Sequence, residues 1–220
     1  MKTQEVLDPQ RWAERTFGST RLKDMRRTRR AVSAATQMAR DASASLPHQM
    51  QTWKDVKALY RLLDEPDVTF EALMQPHFQQ TRACLPAEGV VLLIQDTTEL
   101  DLSHRTKMIG IGQIGNAKGR GMLLQTVLAI VPESRTVLGC MAQKPFIRVP
   151  TPTKEQRYQR RHREHRETDV WMQMVEHVGS PPTTGLLVHV GDRGADMFPF
   201  FRACLSHAMR NELLTASEPG

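Results

Sequence analysis

Apolar residues recur at helical spacing through the first third of the chain, and then give way to short continuous runs. Over 24–40, Val32, Ala35 and Ala39 fall on one side of a helix, while Arg26, Arg27, Arg29 and Arg30 crowd its first turns. Arginine at a helix start opposes the helix dipole, so local stability does not explain that cluster, whereas a bound phosphate backbone would. Over 51–64, Trp53, Val56, Leu59, Tyr60 and Leu63 predict a second helical face, and Pro66 breaks the chain after it. A third helix is expected over 69–82, burying Phe70 and Leu73 and kinked or split at Pro76.

The period changes near Glu88 and Gly89. Val90–Ile94 is a short apolar run of the kind found in a strand buried on both faces. Two further runs, 122–131 and 136–146, are separated by Pro132, Glu133, Ser134 and Arg135. That is too short for a crossover helix and predicts an antiparallel hairpin. Val170, Trp171, Met174, Val175 and Val178 mark a helix over 168–178, stopped by Gly179 and the prolines at 181 and 182. A last buried strand is expected over 185–190 and a helix over 198–209, with a long charged loop over 145–166. The order predicts a small helical domain over 1–84 and an α/β domain with a mixed sheet over 85–220.

Composition narrows the class. The 220 residues are 40% hydrophobic, enough for a core, and no apolar run approaches the ~20 residues of a membrane span. The N-terminus has no apolar stretch behind Lys2 and does not read as a secretory signal. Cys84, Cys140 and Cys204 are spaced too widely for a zinc site or a disulfide framework, which predicts ordinary thiols in a cytoplasmic protein. The net charge of +6 sits in two places: residues 21–40 hold seven Lys and Arg against one acid, and residues 148–166 hold seven against two. A basic excess concentrated in this way points to a polyanion, and above all to nucleic acid; a pair of solvated helix faces is the bland alternative.

Two apolar runs end on an aspartate, Asp96 after Val90–Ile94 and Asp192 after 186–190. Open α/β sheets bind ligands at the carboxyl ends of their strands. If the two strands are parallel neighbours, both carboxylates emerge at one edge and can share a hard cation such as Mg²⁺ or Mn²⁺. Either aspartate alone reads more simply as the cap of a loop or of the helix that follows. Gly110–Gly115 matches G-x-G-x-x-G, yet it follows no buried strand and starts no helix, so a glycine-rich loop accounts for it better than a dinucleotide site. His162 and His165 lie among five arginines, which would repel a metal ion, and Ser103-His104 near Asp101 is not triad geometry.

Taken in order, these motifs resemble one family. Trp12-Ala-Glu, Leu22-Lys-Asp-Met-Arg-Arg27, the helix with Trp53 and Lys57-Ala-Leu-Tyr-Arg61, and Pro76-His77 with Thr81-Arg82 resemble the N-terminal DNA-binding domain of a transposon-five-type transposase. Gln95-Asp-Thr-Thr-Glu-Leu-Asp101 and Gly191-Asp-Arg-Gly-Ala-Asp196 resemble the first two catalytic strands of its DDE core. The similarity spans roughly residues 10–205. It implies a ribonuclease-H-like fold and a cut-and-paste transposase of the insertion-sequence-four family, in which Asp96 and Asp192 bind Mg²⁺ (or Mn²⁺) for strand cleavage and transfer. It further implies that Lys23, Arg26, Arg27, Arg29 and Arg30 grip double-stranded DNA at the transposon ends.

The family's third carboxylate, a glutamate in a Tyr-x₂-Arg-x₃-Glu pattern, has no counterpart. Tyr158 is followed by Arg161, but the next expected position is His165, and Tyr60 does not satisfy the pattern. The resemblance therefore implies the front portion of a transposase, with weak metal binding and negligible cleavage. Two alternatives stand beside it: a DNA-binding competitor of full-length transposase, and a decayed gene fragment with an exposed sheet edge.

Overall fold

Two aspartates start the first two helices. Asp8 accepts hydrogen bonds from the amides of Gln10 and Arg11, and Asp24 from that of Arg26, each filling donors that a helix start leaves unpaired. The computed structural model of the chain describes residues 7–115, 118–148, 167–181 and 185–215, with the backbone alone over 208–215. It divides into two compact units, Met1–Ala83 and Cys84–Gly220.

The first unit is helical: α1 (Pro9–Phe17), α2 (Met25–Arg40), a short α3 (Leu46–Gln49), α4 (Trp53–Leu63) and α5 (Phe70–Ala83). A reciprocal box caps α4, in which the Thr52 hydroxyl accepts from the Asp55 amide and donates to the Asp55 carboxylate. One core cluster joins Leu22, Ala31, Leu62 and Val68, and another joins Ala34, Met50, Val56 and Leu59. The buried faces are rotated from those the sequence pattern predicts. On α4 the inward residues are Val56, Leu59 and Leu62, while Trp53, Tyr60 and Leu63 are 66%, 47% and 48% exposed. On α2 the small residues Thr28, Ala31, Ala34 and Ala35 face inward with Thr36, and Val32 is only half-buried. Small side chains let α1 and α4 approach α2 closely, a criterion that hydrophobicity alone does not rank. Pro76 does not split α5 either. It is buried with Phe78 and Thr81 inside one helix, so tertiary packing there outweighs the backbone hydrogen bond proline cannot make.

The second unit is α/β. Its strands are β1 (Val90–Asp101), β2 (Gly112–Ile114), β3 (Gly119–Val131), β4 (Thr136–Phe146) and β5 (Leu186–Val190). The helices are α6 (Asp169–Val178) and α7 (Phe198–Thr215), with a 3₁₀ turn at Arg193–Ala195 between β5 and α7. The sheet order is β2-β3-β1-β5 with β4 also on β3; β1 and β5 run parallel, and the other pairs antiparallel. The hairpin over β3 and β4 forms as predicted, as does α6, whose inward residues are the five that its period named.

Two expectations change. Val90–Ile94 is buried on one face only: Val91 and Leu93 pack with Val127, Ala129, Met174 and Val178, whereas Val90, Leu92 and Ile94 are half-buried. The strand also does not stop at Ile94. Its parallel partner ends there, but β3 continues to pair with it as far as Asp101, so the polar residues 95–101 are carried as antiparallel strand. The glycine-rich stretch is a small hairpin of β2 on β3. At Gly121 a Cβ would stand 1.9 Å from the Leu100 carbonyl oxygen, so only glycine admits the close approach of the two strands.

Candidate DNA-binding face and carboxylate pair

The five cations expected to hold DNA do not share one role. Arg27 is largely covered, its side chain 23% exposed; its guanidinium binds the Glu65 carboxylate, the Asp67 carboxylate at 3.1 Å and the Leu22 carbonyl at 3.2 Å. Lys23, in a left-handed backbone conformation (φ 61°), sets its ammonium 2.7 Å from Asp67. The hydrogen bond from Lys23, followed by that from Arg27, holds the Asp67 carboxyl below its usual range. These two cations staple the start of α2 to the chain after α4. Arg26 is exposed and lies 3.5 Å from its own capping Asp24. Arg29 and Arg30 are exposed and make no ion pair among the described residues.

The outward side of α2 extends beyond those residues. At helical spacing Arg26, Arg30, Ser33 and Gln37 follow one another, with Arg29 and Arg40 alongside. Of the six, all but the half-buried Gln37 are exposed. Arg40, Ser33 and Gln37 are not among the residues the sequence singled out, although their i, i+4, i+7 relation to Arg26, Arg29 and Arg30 was available. A groove of about 540 Å³ runs between α1 and α2, with Arg29, Ser33, Gln37 and Arg40 on one wall and Gln10 and Glu14 on the other. The exposed side of α4 is also basic and aromatic: Lys57 sits 5.4 Å from the centre of the Trp53 ring, and Lys54, Tyr60 and Arg61 are exposed beside them. The second basic segment falls on 149–166, outside the described residues, as do His162 and His165. Arg148, at its described edge, is held by Glu167 and Glu99, and the hydrogen bond to Glu167 raises its pKa above the usual guanidinium value.

In the α/β unit, β1 and β5 are parallel neighbours with Ile94 opposite Val190. Asp96 and Asp192 each follow that pair by two residues. They differ in surroundings. Asp96 lies inside β1 opposite Thr126, is exposed, and has no hydrogen-bond or ion-pair partner among the described residues. Asp192 caps the 3₁₀ turn, accepting from the Gly194 amide at 2.6 Å. It also lines a cavity of about 270 Å³ with Thr97, Glu99, Arg148, Glu167 and Trp171. Strand alternation puts Thr97 and Glu99 on the helix-covered face of β1 and Asp96 on the other, and Asp96 is not among the cavity's lining residues. The carboxylate oxygens suit a hard ion such as Mg²⁺. Even so, no group of three or more His, Cys, Asp or Glu side chains among the described residues is placed to hold a metal. Ser103 donates its amide to Asp101 at 2.8 Å, in a turn after β1 rather than a nucleophile's triad.

Beneath α6 and α7, the covered face of the sheet carries a polar chain that the sequence did not reveal. Thr97 donates its hydroxyl to Gln125, Gln125 donates its amide to Gln95 at 3.4 Å, and Gln95 meets His189 Nδ1 at 3.0 Å. Gln95 and Gln125 are both buried. With the Gln95 oxygen taken by Gln125, its NH₂ faces the imidazole, so Nδ1 is the bare nitrogen and accepts.

No helix among the described residues is long and apolar enough to cross a membrane. Residues 9–68 match the family model for transposase DNA-binding. The matched stretch runs from the first residue of α1 to Val68 and contains every cation of the α2 face, and it supports a transposase that binds DNA through this helical unit.

Proposed function

We propose that the chain binds transposon-end duplex DNA through the outward face of α2, with the basic, aromatic side of α4 as its flank. The observation that carries this reading is the exposed arginine face, Arg29, Arg30 and Arg40, without ion pairs among the described residues, beside the loosely paired Arg26, lying wholly within the matched stretch. An α-helix fits the major groove of B-DNA, and arginines along it meet phosphates or guanines. Each phosphate neutralised releases condensed counterions and contributes about 0.9 to the slope of log K against log salt. Arg29→Ala together with Arg30→Ala is therefore expected to lower that slope by about 2 for a duplex carrying the end sequence, without changing the helical content. An unchanged slope and affinity would remove the α2 face from the interface.

The finer reading is that of a cut-and-paste enzyme of the insertion-sequence-four family, with Asp96 and Asp192 as the two metal-holding carboxylates of a DDE core. Bound there, Mg²⁺ would activate an attacking water or hydroxyl and stabilise the leaving oxygen of a phosphodiester. The third carboxylate is missing from the sequence pattern, and the described residues make no three-ligand cluster, so the chain by itself is expected to leave DNA uncut. End-containing duplex incubated with the chain and Mg²⁺ should stay intact over hours. Nicking that disappears in Asp96→Ala would show the carboxylate set to be sufficient. A chain that holds ends without cutting them would act as a competitor of full-length transposase.

A further inference from the structure

The outward sides of α2 and α4 differ in kind. That of α2 carries arginines and no aromatic ring, whereas that of α4 carries two rings among cations. Trp53, Lys57 and Tyr60 follow one another at i, i+4 and i+7, with Lys54 beside the first ring and Arg61 beside the second. Val56, Leu59 and Leu62 hold the other side of α4 in the core, so this row is turned to solvent, and all five of its residues are exposed. Packing within the unit therefore does not account for an indole and a phenol at these positions. The Lys57 ammonium stands 5.4 Å from the centre of the Trp53 ring, yet the ring stays largely exposed. The acids of the helix stand at its two ends, Asp55 tied to Thr52 in the cap and Asp64 after the last turn. Rings with cations between them suit a polyanion that also offers flat π-faces, which is a nucleic-acid strand with unpaired bases. In a duplex each base is covered above and below by its neighbours, and a ring reaches only edges. The two rings lie about 10 Å apart along the axis at ~1.5 Å per residue, the length of about three stacked nucleotides at ~3.4 Å each. Lysines are point charges on flexible stems and can follow a single strand's mobile backbone.

We propose that the outward row of α4 is a stacking platform for single-stranded DNA, with Trp53 and Tyr60 each taking the face of one unpaired base and Lys54, Lys57 and Arg61 taking the phosphates around them. This rests on the reading of the helical unit as a DNA binder, and adds a second form of ligand held by residues other than the arginines of α2.

The test measures, by fluorescence anisotropy, the binding of the full chain to three labelled probes: an oligo-thymidylate strand, a base-free strand of the same length and charge, and a duplex carrying the end sequence. The chain should prefer oligo-thymidylate to the base-free strand. Trp53→Ala and Tyr60→Ala should each weaken oligo-thymidylate binding by about five- to a hundredfold, the range for one stacked base, and duplex binding by less. Trp53→Phe, which keeps a ring, should restore most of the loss. Arg29→Ala with Arg30→Ala should weaken the duplex and spare the oligo-thymidylate strand. Equal affinity for the strands with and without bases, or a Trp53→Ala chain that loses duplex and single strand alike, would overturn the platform and leave the DNA-binding reading standing. Self-association of the chain that Trp53→Ala abolishes in sedimentation would overturn it too, by making a second copy the occupant of the row. A wild-type chain that binds none of the three probes would overturn both readings.

Discussion

Gln125→Leu is expected to destabilise the α/β unit by about 1–3 kcal/mol, although the two side chains are close in size. Gln125 is fully buried and is the middle member of the chain from Thr97 to Gln95 and His189. Leucine strands the buried Gln95 oxygen, while the half-buried Thr97 hydroxyl can turn to the cavity it lines, and a buried group left unpaired costs about 1–3 kcal/mol. The bonds tie β3 to β1 and β1 to β5, so the loss falls on the strands that set the heights of Asp96 and Asp192. Hydrogen exchange read by mass spectrometry checks this unit by unit: amides of β1, β3 and β5 should lose protection, while those of α1, α2 and α4 should not. Unchanged protection in the strands would mean that the polar chain contributes nothing to the fold.

The same network predicts a pH dependence. Burial, with a smaller contribution from the charge of His207, pushes the His189 pKa from 6.5 down to about 4. As pH falls, the unfolded chain takes up the imidazole proton first. The stability contributed by the neutral ring is complete above pH 6.5 and declines as pH falls from 6.5 toward 4, by about 3 kcal/mol in total. A proton on Nδ1 would also set two donors against each other at the Gln95 contact. His189→Gln should flatten the profile over that window. A wild-type profile already flat between pH 4 and 6.5 would place the ring in contact with water.

The second large effect concerns Arg27. Arg27→Met keeps the aliphatic stem but leaves the carboxylates of Glu65 and Asp67 and the Leu22 carbonyl without their shared donor. Hydrogen bonds to charged partners contribute about 1.5–3 kcal/mol. The pair is partly screened because Glu65 is 38% exposed and Asp67 27%, so the helical unit is expected to lose stability measurably, and by more than Arg30→Ala costs it. The readout is a urea midpoint followed by far-UV circular dichroism on a fragment covering the first unit, or hydrogen exchange over residues 65–68 in the full chain. Arg30→Ala, at an exposed residue with no ion pair among the described residues, should stay within about 0.5 kcal/mol of wild type in the same measurement. Equal midpoints for the Arg27 and Arg30 variants would refute the staple. The contrast separates two arginines that look alike in sequence: one positions the helix, and the other is left to solvent.

Local rules made much of this legible in advance. The five inward residues of α6, the hairpin turn at 132–135 and the change from helical to strand period near residue 89 depend on near neighbours, and all three follow from the sequence pattern. The basic face of α2 was equally visible as composition.

What the pattern could not supply is which of two plausible faces turns inward. On α4 the largest apolar residues, Trp53 and Tyr60, sit outside and Leu62 inside, because packing against α2 selects shape rather than hydrophobicity. The sequence ended β1 at Ile94, where the apolar run stops; the pairing with β3 carried it to Asp101 and put Asp96 within a strand. Arg27 and Glu65 are 38 residues apart, and Gln95 and His189 are 94 apart. The sequence alone determined the helical first part, the mixed sheet of the second and the basic charge between residues 21 and 40. Only the tertiary structure decided which arginines are held in ion pairs, which polar groups are buried together and which face of each helix is left to solvent, since each depends on partners distant in sequence.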